Sequence, residues 1–229
     1  MKLKTKEWNQ SYNNKDNFVF YPHEEVIRFV SKYIKKRVGL NDFIEIHNKK
    51  SPIKVLDFGC GIGRHVRLLN EFELDSYGFD LSNIAIDYAK NMFTELKLNN
   101  LISKVRVADI QNLPYKDEFF DFMLSHGVLD SMPFNIARTG LIELHRCLMK
   151  NGLIYFDLIS TEDTSFEGNY EKIIKSKHEN NTIQSYFDIE KIEKLIENRF
   201  IIREIIHVKR DDILQKKMDA RYSIVCQKI

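Results

Sequence analysis

The sequence predicts an α/β protein built on a doubly wound, mostly parallel sheet with helices on both faces. Three observations carry that expectation. Val55 to Phe58 is apolar with one acid and runs into Gly59, Gly61 and Gly63 on alternate positions, a buried strand ending in a very tight turn. From there to Ile159, strand-like and helix-like patterns alternate, the signature of a parallel sheet with crossover helices. The first and fifth strand segments are nearly continuous apolar runs, as strands covered on both faces require.

Taken in order, the first twenty residues are polar yet carry Trp8, Tyr12, Phe18 and Phe20, with Tyr21 just beyond, which marks a segment that docks on something. Pro22 opens a predicted helix over His23–Lys36, with Val26, Ile27, Phe29, Val30, Tyr33 and Ile34 on its apolar face. A polar stretch from Asn41 to Ser51 ends at Pro52. Strands are predicted at Lys54–Phe58, Ser76–Phe79, Val105–Ala108, Phe119–Ser125 and Leu153–Ile159. Helices are predicted between them at Arg64–Phe72, Asn83–Leu96 and Ile136–Met149. Residues 160–185 break the rhythm, being polar and too long for an ordinary connection, and are read as an insertion or lid on the substrate side. A helix at Asp188–Glu197 and two strands, Ile201–His207 and Ala220–Gln227, close the chain.

Composition excludes several classes. With 229 residues at 43% hydrophobic, the chain can bury one sizeable core. A net charge of +2 with interspersed signs gives no field that would mark nucleic acid or a membrane surface as partner. Cys60, Cys147 and Cys226 are odd in number and widely spaced, so neither a disulfide frame nor a metal site is indicated. No apolar run is long enough to span a bilayer or serve as a signal peptide, and the expected location is the cytoplasm.

The glycine loop carries the chemistry. Its spacing is G-x-G-x-G and not the G-x-G-x-x-G of dinucleotide sites, and Asp57 would repel a pyrophosphate but suits a cationic ligand. The run Val55-Leu56-Asp57-Phe58-Gly59-Cys60-Gly61-Ile62-Gly63-Arg64-His65 resembles motif I of the class I S-adenosylmethionine-dependent methyltransferases. Two further landmarks fall where that resemblance needs them: Gly78-Phe79-Asp80-Leu81-Ser82, with Asp80 21 residues after Gly59, and Val107-Ala108-Asp109-Ile110 after the third strand. The resemblance covers about Lys54 to Ile159 and implies a Rossmann-like, seven-stranded sheet with an antiparallel last strand.

The resemblance also implies roles. Asp80 would accept the ribose hydroxyls and Leu81 pack on the adenosine; Asp109 would accept the adenine amino group, with the Ile110 N–H reaching the ring. Asp57, Gly59, Cys60 and Gly61 would form the loop around the amino-acid end, and Arg64 or His65 would meet its carboxylate. Asp80 also sits where it can assist a helix N-terminus, since Ser82 reads as an N-cap. Strand four ends at Ser125-His126-Gly127-Val128, where the methyl group should point, because ligands sit outside the carboxyl ends of parallel strands. Ser125 and His126 are therefore candidates for contact with the methionine part or the acceptor. His126 has two open readings, a base for an acceptor that must lose a proton, or a group that merely packs on the ligand.

Acceptor recognition is less specific. The N-terminal run resembles methyltransferases of bacterial sugar and surface-polysaccharide pathways, and Trp8, Tyr12 and Tyr21 would cover the cofactor, stack on the acceptor or only pack. Tyr170 and His178 are candidates for the acceptor pocket in the 160–185 insertion. The expected organisation is a helical cap over 1–51 and a methyltransferase domain over 52–229, acting as monomer or homodimer. The expected activity is methyl transfer to an oxygen or nitrogen of a small polar metabolite. Ser125-His126-Gly127-Val128 in place of Asn/Asp-Pro-Pro-Tyr argues against methylation of DNA base amino groups. The alternative is a protein that binds S-adenosylmethionine to regulate or scaffold without transfer.

Overall fold

A computed structural model describes residues 4–48, 52–176 and 179–229. The chain opens with helices α1 (Thr5–Asn13) and α2 (Glu24–Tyr33), then strands β1 (Lys35–Arg37) and β2 (Phe43–Glu45). The alternating part runs β3 (Lys54–Phe58), α3 (Arg64–Glu71), β4 (Asp75–Asp80), α4 (Asn83–Glu95), α5 (Asn99–Ile102), β5 (Val105–Val107), β6 (Phe120–Leu124), α6 (Phe134–Cys147) and β7 (Leu148–Ile159). It ends with β8 (Glu171–Ile173), β9 (Ile183–Ser185), α7 (Ile189–Ile196), β10 (Phe200–Asp212) and β11 (Lys217–Lys228).

Seven strands form one sheet in the order β10-β11-β7-β6-β3-β4-β5. Strands β3 to β7 of that sheet pair in parallel, and β11 enters antiparallel between β7 and β10. Period-two alternation assigns the faces. On one side Leu56, Phe58, Met123, Ile154, Phe156 and Ile224 pack with Leu141 and Leu144 of α6 and Ile192 and Leu195 of α7. On the other, Val55, Phe122, Leu124, Tyr155 and Val225 pack with Phe29 and Val30 of α2 and Leu68 and Leu69 of α3. Helix α2 is thus one of the layers of the domain, its Phe29 ring stacked 5.5 Å from that of Tyr155.

The predicted helix over 23–36 stops at Tyr33 because Lys35 to Arg37 pair antiparallel with Phe43 to Glu45. Lys35 is anchored there by Glu45 and Glu73. The closing strands are longer than expected. Only residues 221–227 of β11 pair with β7, so the rest of the hairpin runs past the sheet. Residues 160–185 contain the β8–β9 pair. Ser82 caps α4 as read, accepting the Ala85 N–H, and Asp121 is satisfied by the Lys54 N–H at 2.9 Å.

Candidate active site

The carboxyl ends of β3, β4, β5 and β6 open onto a cavity of about 180 Å³, the position a doubly wound sheet reserves for ligands. The glycine loop forms its floor. Gly61 has φ +52°, and a Cβ there would lie 2.6 Å from the Tyr12 hydroxyl; at Gly59, φ +69°, a Cβ would run into Val128. Only glycine allows the loop to pass between these groups. Tyr12 and Trp8 of α1 roof the cavity, and α1 is tied down by Asn9, which bonds both Ser82 and Asn83.

Asp80 ends β4 in the cavity wall. One carboxylate oxygen accepts the Gly61 N–H at 2.9 Å and the other the Ser82 N–H at 2.8 Å. Each oxygen retains a second lone pair for a ligand hydroxyl. Burial pushes its pKa up to about 6, against the pull of those two N–H groups. Leu81, Cys60, Ala108, Ile110 and Phe79 complete the apolar wall. Cys60 is buried and its thiol is pushed well up by that burial, so it packs and does not react.

Arg64 lines the cavity, with its Nη1 donating to the Tyr21 carbonyl at 3.1 Å. Among the described residues no carboxylate pairs with it. Asp57 is buried beneath the loop; its Oδ1 lies 3.6 Å from His65 Nδ1, and Oδ2 has no partner among the described residues. His65 is almost fully buried, and its Nε2 accepts the His23 backbone N–H at 3.2 Å.

His126 follows β6 and also lines the cavity. Its Nδ1 is 2.9 Å from Asp157 Oδ2 near the end of β7, with the N–H off the straight line, as is common before a ligand is bound. Asp157 also accepts the Gly127 N–H at 2.7 Å and Arg221 Nε at 2.6 Å. Arg221 reaches on to Asp130, whose carboxylate takes the Ile159 N–H as well. Burial opposes charge on Asp157, yet Arg221 and His126 outweigh it and hold the carboxyl well below its usual range. Asp130, for which burial dominates over Arg221, is raised. The ring of His23 stacks on His126 with centroids 3.6 Å apart and planes 18° off parallel.

Other predicted residues lie elsewhere. Asp109 is half-buried, turns its carboxylate to the Gln111 N–H and is not among the cavity-lining residues. Ser125 is buried beside the cavity with its Oγ unpartnered among the described residues. Tyr21 is 75% exposed and touches the site only through its backbone carbonyl to Arg64. Tyr170 bonds Asp188 and is not brought to the cavity. His178 lies outside the described residues. Sequence reasoning missed Asp157, Asp130, Arg221 and His23. The one signal available was Asp157, a lone acid near the carboxyl end of an otherwise apolar strand.

A family model described as a methyltransferase domain matches residues 49–219. The chain belongs to that family. An uncharacterised protein of Methanocaldococcus jannaschii is 32% identical over 154 residues, 64% of this chain and 55% of that protein. A probable tRNA methyltransferase 9B of Mus musculus is 27% identical over 125 residues, 53% of this chain and 26% of its own. The chain spans about half the length of the first curated relatives it matches. A solved S-adenosylmethionine-dependent methyltransferase of Methanosarcina mazei superposes with a TM-score of 0.65 at 18% identity, covering 79% of this chain and 94% of that one. This likeness shows a shared fold.

The solved neighbour from Methanosarcina mazei is named for S-adenosylmethionine, and the residues of this cavity offer chemistry that would suit that group. Arg64 on the cavity wall offers a positive charge to a carboxylate; Asp57, buried beneath the loop with one oxygen unpartnered among the described residues, is not itself among the lining residues. The glycine cradle admits close approach of a ligand backbone, and Asp80 presents acceptor capacity on the wall where a ribose would lie. Among the described residues no cluster of side chains could hold a metal ion, and no helix is long and apolar enough to cross a membrane.

Proposed function

We propose that this methyltransferase transfers a methyl group to an oxygen or nitrogen of a small polar acceptor, and that His126 takes the proton the acceptor gives up. The observation that carries the reading is the His126–Asp157 pair on the cavity wall beside the glycine loop. With Nδ1 turned to Asp157, Nε2 is the free nitrogen of a residue that lines the cavity. Asp157 stabilises the imidazolium that proton transfer creates, and Arg221 keeps Asp157 ionised in a buried place.

When bound, S-adenosylmethionine supplies a methyl group on a sulfonium, whose departure leaves a neutral thioether. Asp80 and the loop amides would hold that ligand, with Asp57 buried beneath the loop, while Trp8 and Tyr12 would exclude water above it. The chain's further work is alignment of the acceptor atom with the methyl carbon and removal of its proton. The modest cavity, roofed by α1, favours a small acceptor, and Lys4, Asn17 and Glu179 on its wall favour a polar one. A sugar or a surface-polysaccharide precursor answers that description.

Formation of S-adenosylhomocysteine by the full chain, measured against pools of sugars, nucleotide sugars and transfer RNA, tests the reading. Turnover with a sugar-like pool is expected. Turnover with transfer RNA alone, the acceptor in the mouse relative's name, would overturn the acceptor class. Cofactor binding without turnover on any pool would favour a binding protein that regulates or scaffolds.

A further inference from the structure

The mechanism above leaves His23 unused, although its ring covers one face of His126. We propose that His23 is the positioning residue of this site, a fixed aromatic plate that holds the His126 imidazole with Nδ1 on Asp157 and Nε2 free. This rests on the reading of His126 as the group that takes the proton.

Three contacts fix the plate. His23 is the N-cap of α2, in extended backbone after Pro22, and its Nδ1 accepts the Glu25 N–H at 3.3 Å. Its own N–H donates to His65 Nε2 at 3.2 Å, which ties the cap to the glycine-loop helix. Helix α2 is itself locked to the sheet by Phe29 against Tyr155 and by Arg28 on Glu204 at 2.7 Å. A ring held at both backbone and side chain has little rotamer freedom, and a ring stacked on it inherits that restraint.

The same contacts settle its charge. A nitrogen that accepts a backbone N–H carries no proton, so His23 is neutral in this arrangement. Burial and the neighbouring His126 push its basicity down to about 4, in agreement. A neutral π face over His126 tolerates an imidazolium, whereas a second cation there would repel it. The cap and the plate are separate properties of one side chain. Asparagine retains an N-cap oxygen without a ring; phenylalanine retains a ring without a cap.

The test uses the full chain with histidine labelled in nitrogen-15 and saturated with S-adenosylhomocysteine, and follows the His126 ring by long-range proton–nitrogen correlation. In the parent protein a single tautomer with the proton on Nδ1 is expected. His23→Asn should give averaged nitrogen shifts for His126, while His23→Phe should keep the single-tautomer pattern and lose thermal stability. Unchanged His126 signals in His23→Asn would overturn the proposal. Averaging in both variants would also overturn it, since the cap and not the ring would then be the cause. Should His23→Asn fail to fold, His23→Ala compared with His23→Phe asks the same question. The base reading fails independently, if His126→Asn retains turnover while the tautomer result stands.

Discussion

Two histidine–aspartate pairs face each other across this site, and they do different things. His65, in the first turn of α3, neighbours Asp57 inside β3, and His126, just past β6, neighbours Asp157 inside β7. His65 is buried, its Nε2 accepts the His23 backbone N–H, and its Nδ1 faces Asp57 at 3.6 Å. His126 has one nitrogen on Asp157, the other free, and a place on the cavity wall. Burial pushes the basicity of His65 down, with Asp57 opposing. The acids differ as well. Asp157 is braced by Arg221 and Gly127, whereas Asp57 keeps an oxygen beneath the glycine loop that has no partner among the described residues. On the proposed reading the free valence decides the role: His65 serves as a joint and His126 as the reagent.

The sharpest way to break this contrast is to remove each ring in turn. His126→Asn should lower turnover by about 10²–10⁴-fold, the usual worth of a positioned acid–base group, with cofactor affinity unchanged. His65→Phe should do the opposite, costing about 1–3 kcal/mol of stability by stranding the His23 N–H and Asp57. Turnover assays and thermal unfolding of the two variants read the exchange directly. Equal losses of turnover would erase the distinction.

Next in size is the brace. Arg221→Met leaves Asp157 and Asp130 buried without their cation and should destabilise the fold by about 3–5 kcal/mol. Adding Asp130→Asn should recover part of that loss, because Asp130 already resists ionisation. Denaturant unfolding of the single and double variants measures the coupling.

Acidity sharpens the comparison further. His23 falls from an ordinary 6.5 to about 4 because burial disfavours its charged form. Its neutral form therefore favours the fold, a contribution fully present above pH 6.5 and lost as pH falls toward 4. Unfolding midpoints across that window should decline accordingly. Asp80, raised by burial to about 6, takes a proton as pH drops through that value and loses acceptor capacity. Cofactor affinity measured at about pH 7.5 should exceed that at about pH 5.5. The smallest effect is at Cys60, where alkylating reagents should leave cofactor binding unaltered because the thiol is buried and protonated.

Much of the sheet was legible in the sequence, and so were the glycine loop and the acid ending β4 that line the cavity, for local reasons. Glycine spacing, the acid in β3 and the acid ending β4 are features of single turns, and alternation fixes which strand residues share a face. The base's support was not legible. Arg221 stands 64 residues after Asp157, and only the antiparallel entry of β11 beside β7, pairing Ser223 with Asp157, brings them together. His23 reads as a helix start, and its ring meets His126 only because α2 packs across the sheet. Tyr170 illustrates the reverse. An aromatic in a polar insertion suggests a pocket, but the β8–β9 pair turns it to Asp188 and Lys191 instead. The short β1–β2 pair was hidden in a polar stretch with no alternation to show it.

The most direct test of the account is calorimetric titration of the full chain with S-adenosylmethionine, alongside Gly61→Arg and His126→Asn. Gly61→Arg puts a long side chain where a Cβ already meets the Tyr12 hydroxyl, whereas His126→Asn alters only the acceptor side. The account predicts one-to-one binding by the parent protein, no binding by Gly61→Arg and undiminished binding by His126→Asn. Binding that survives Gly61→Arg, or that disappears with His126→Asn, would contradict it.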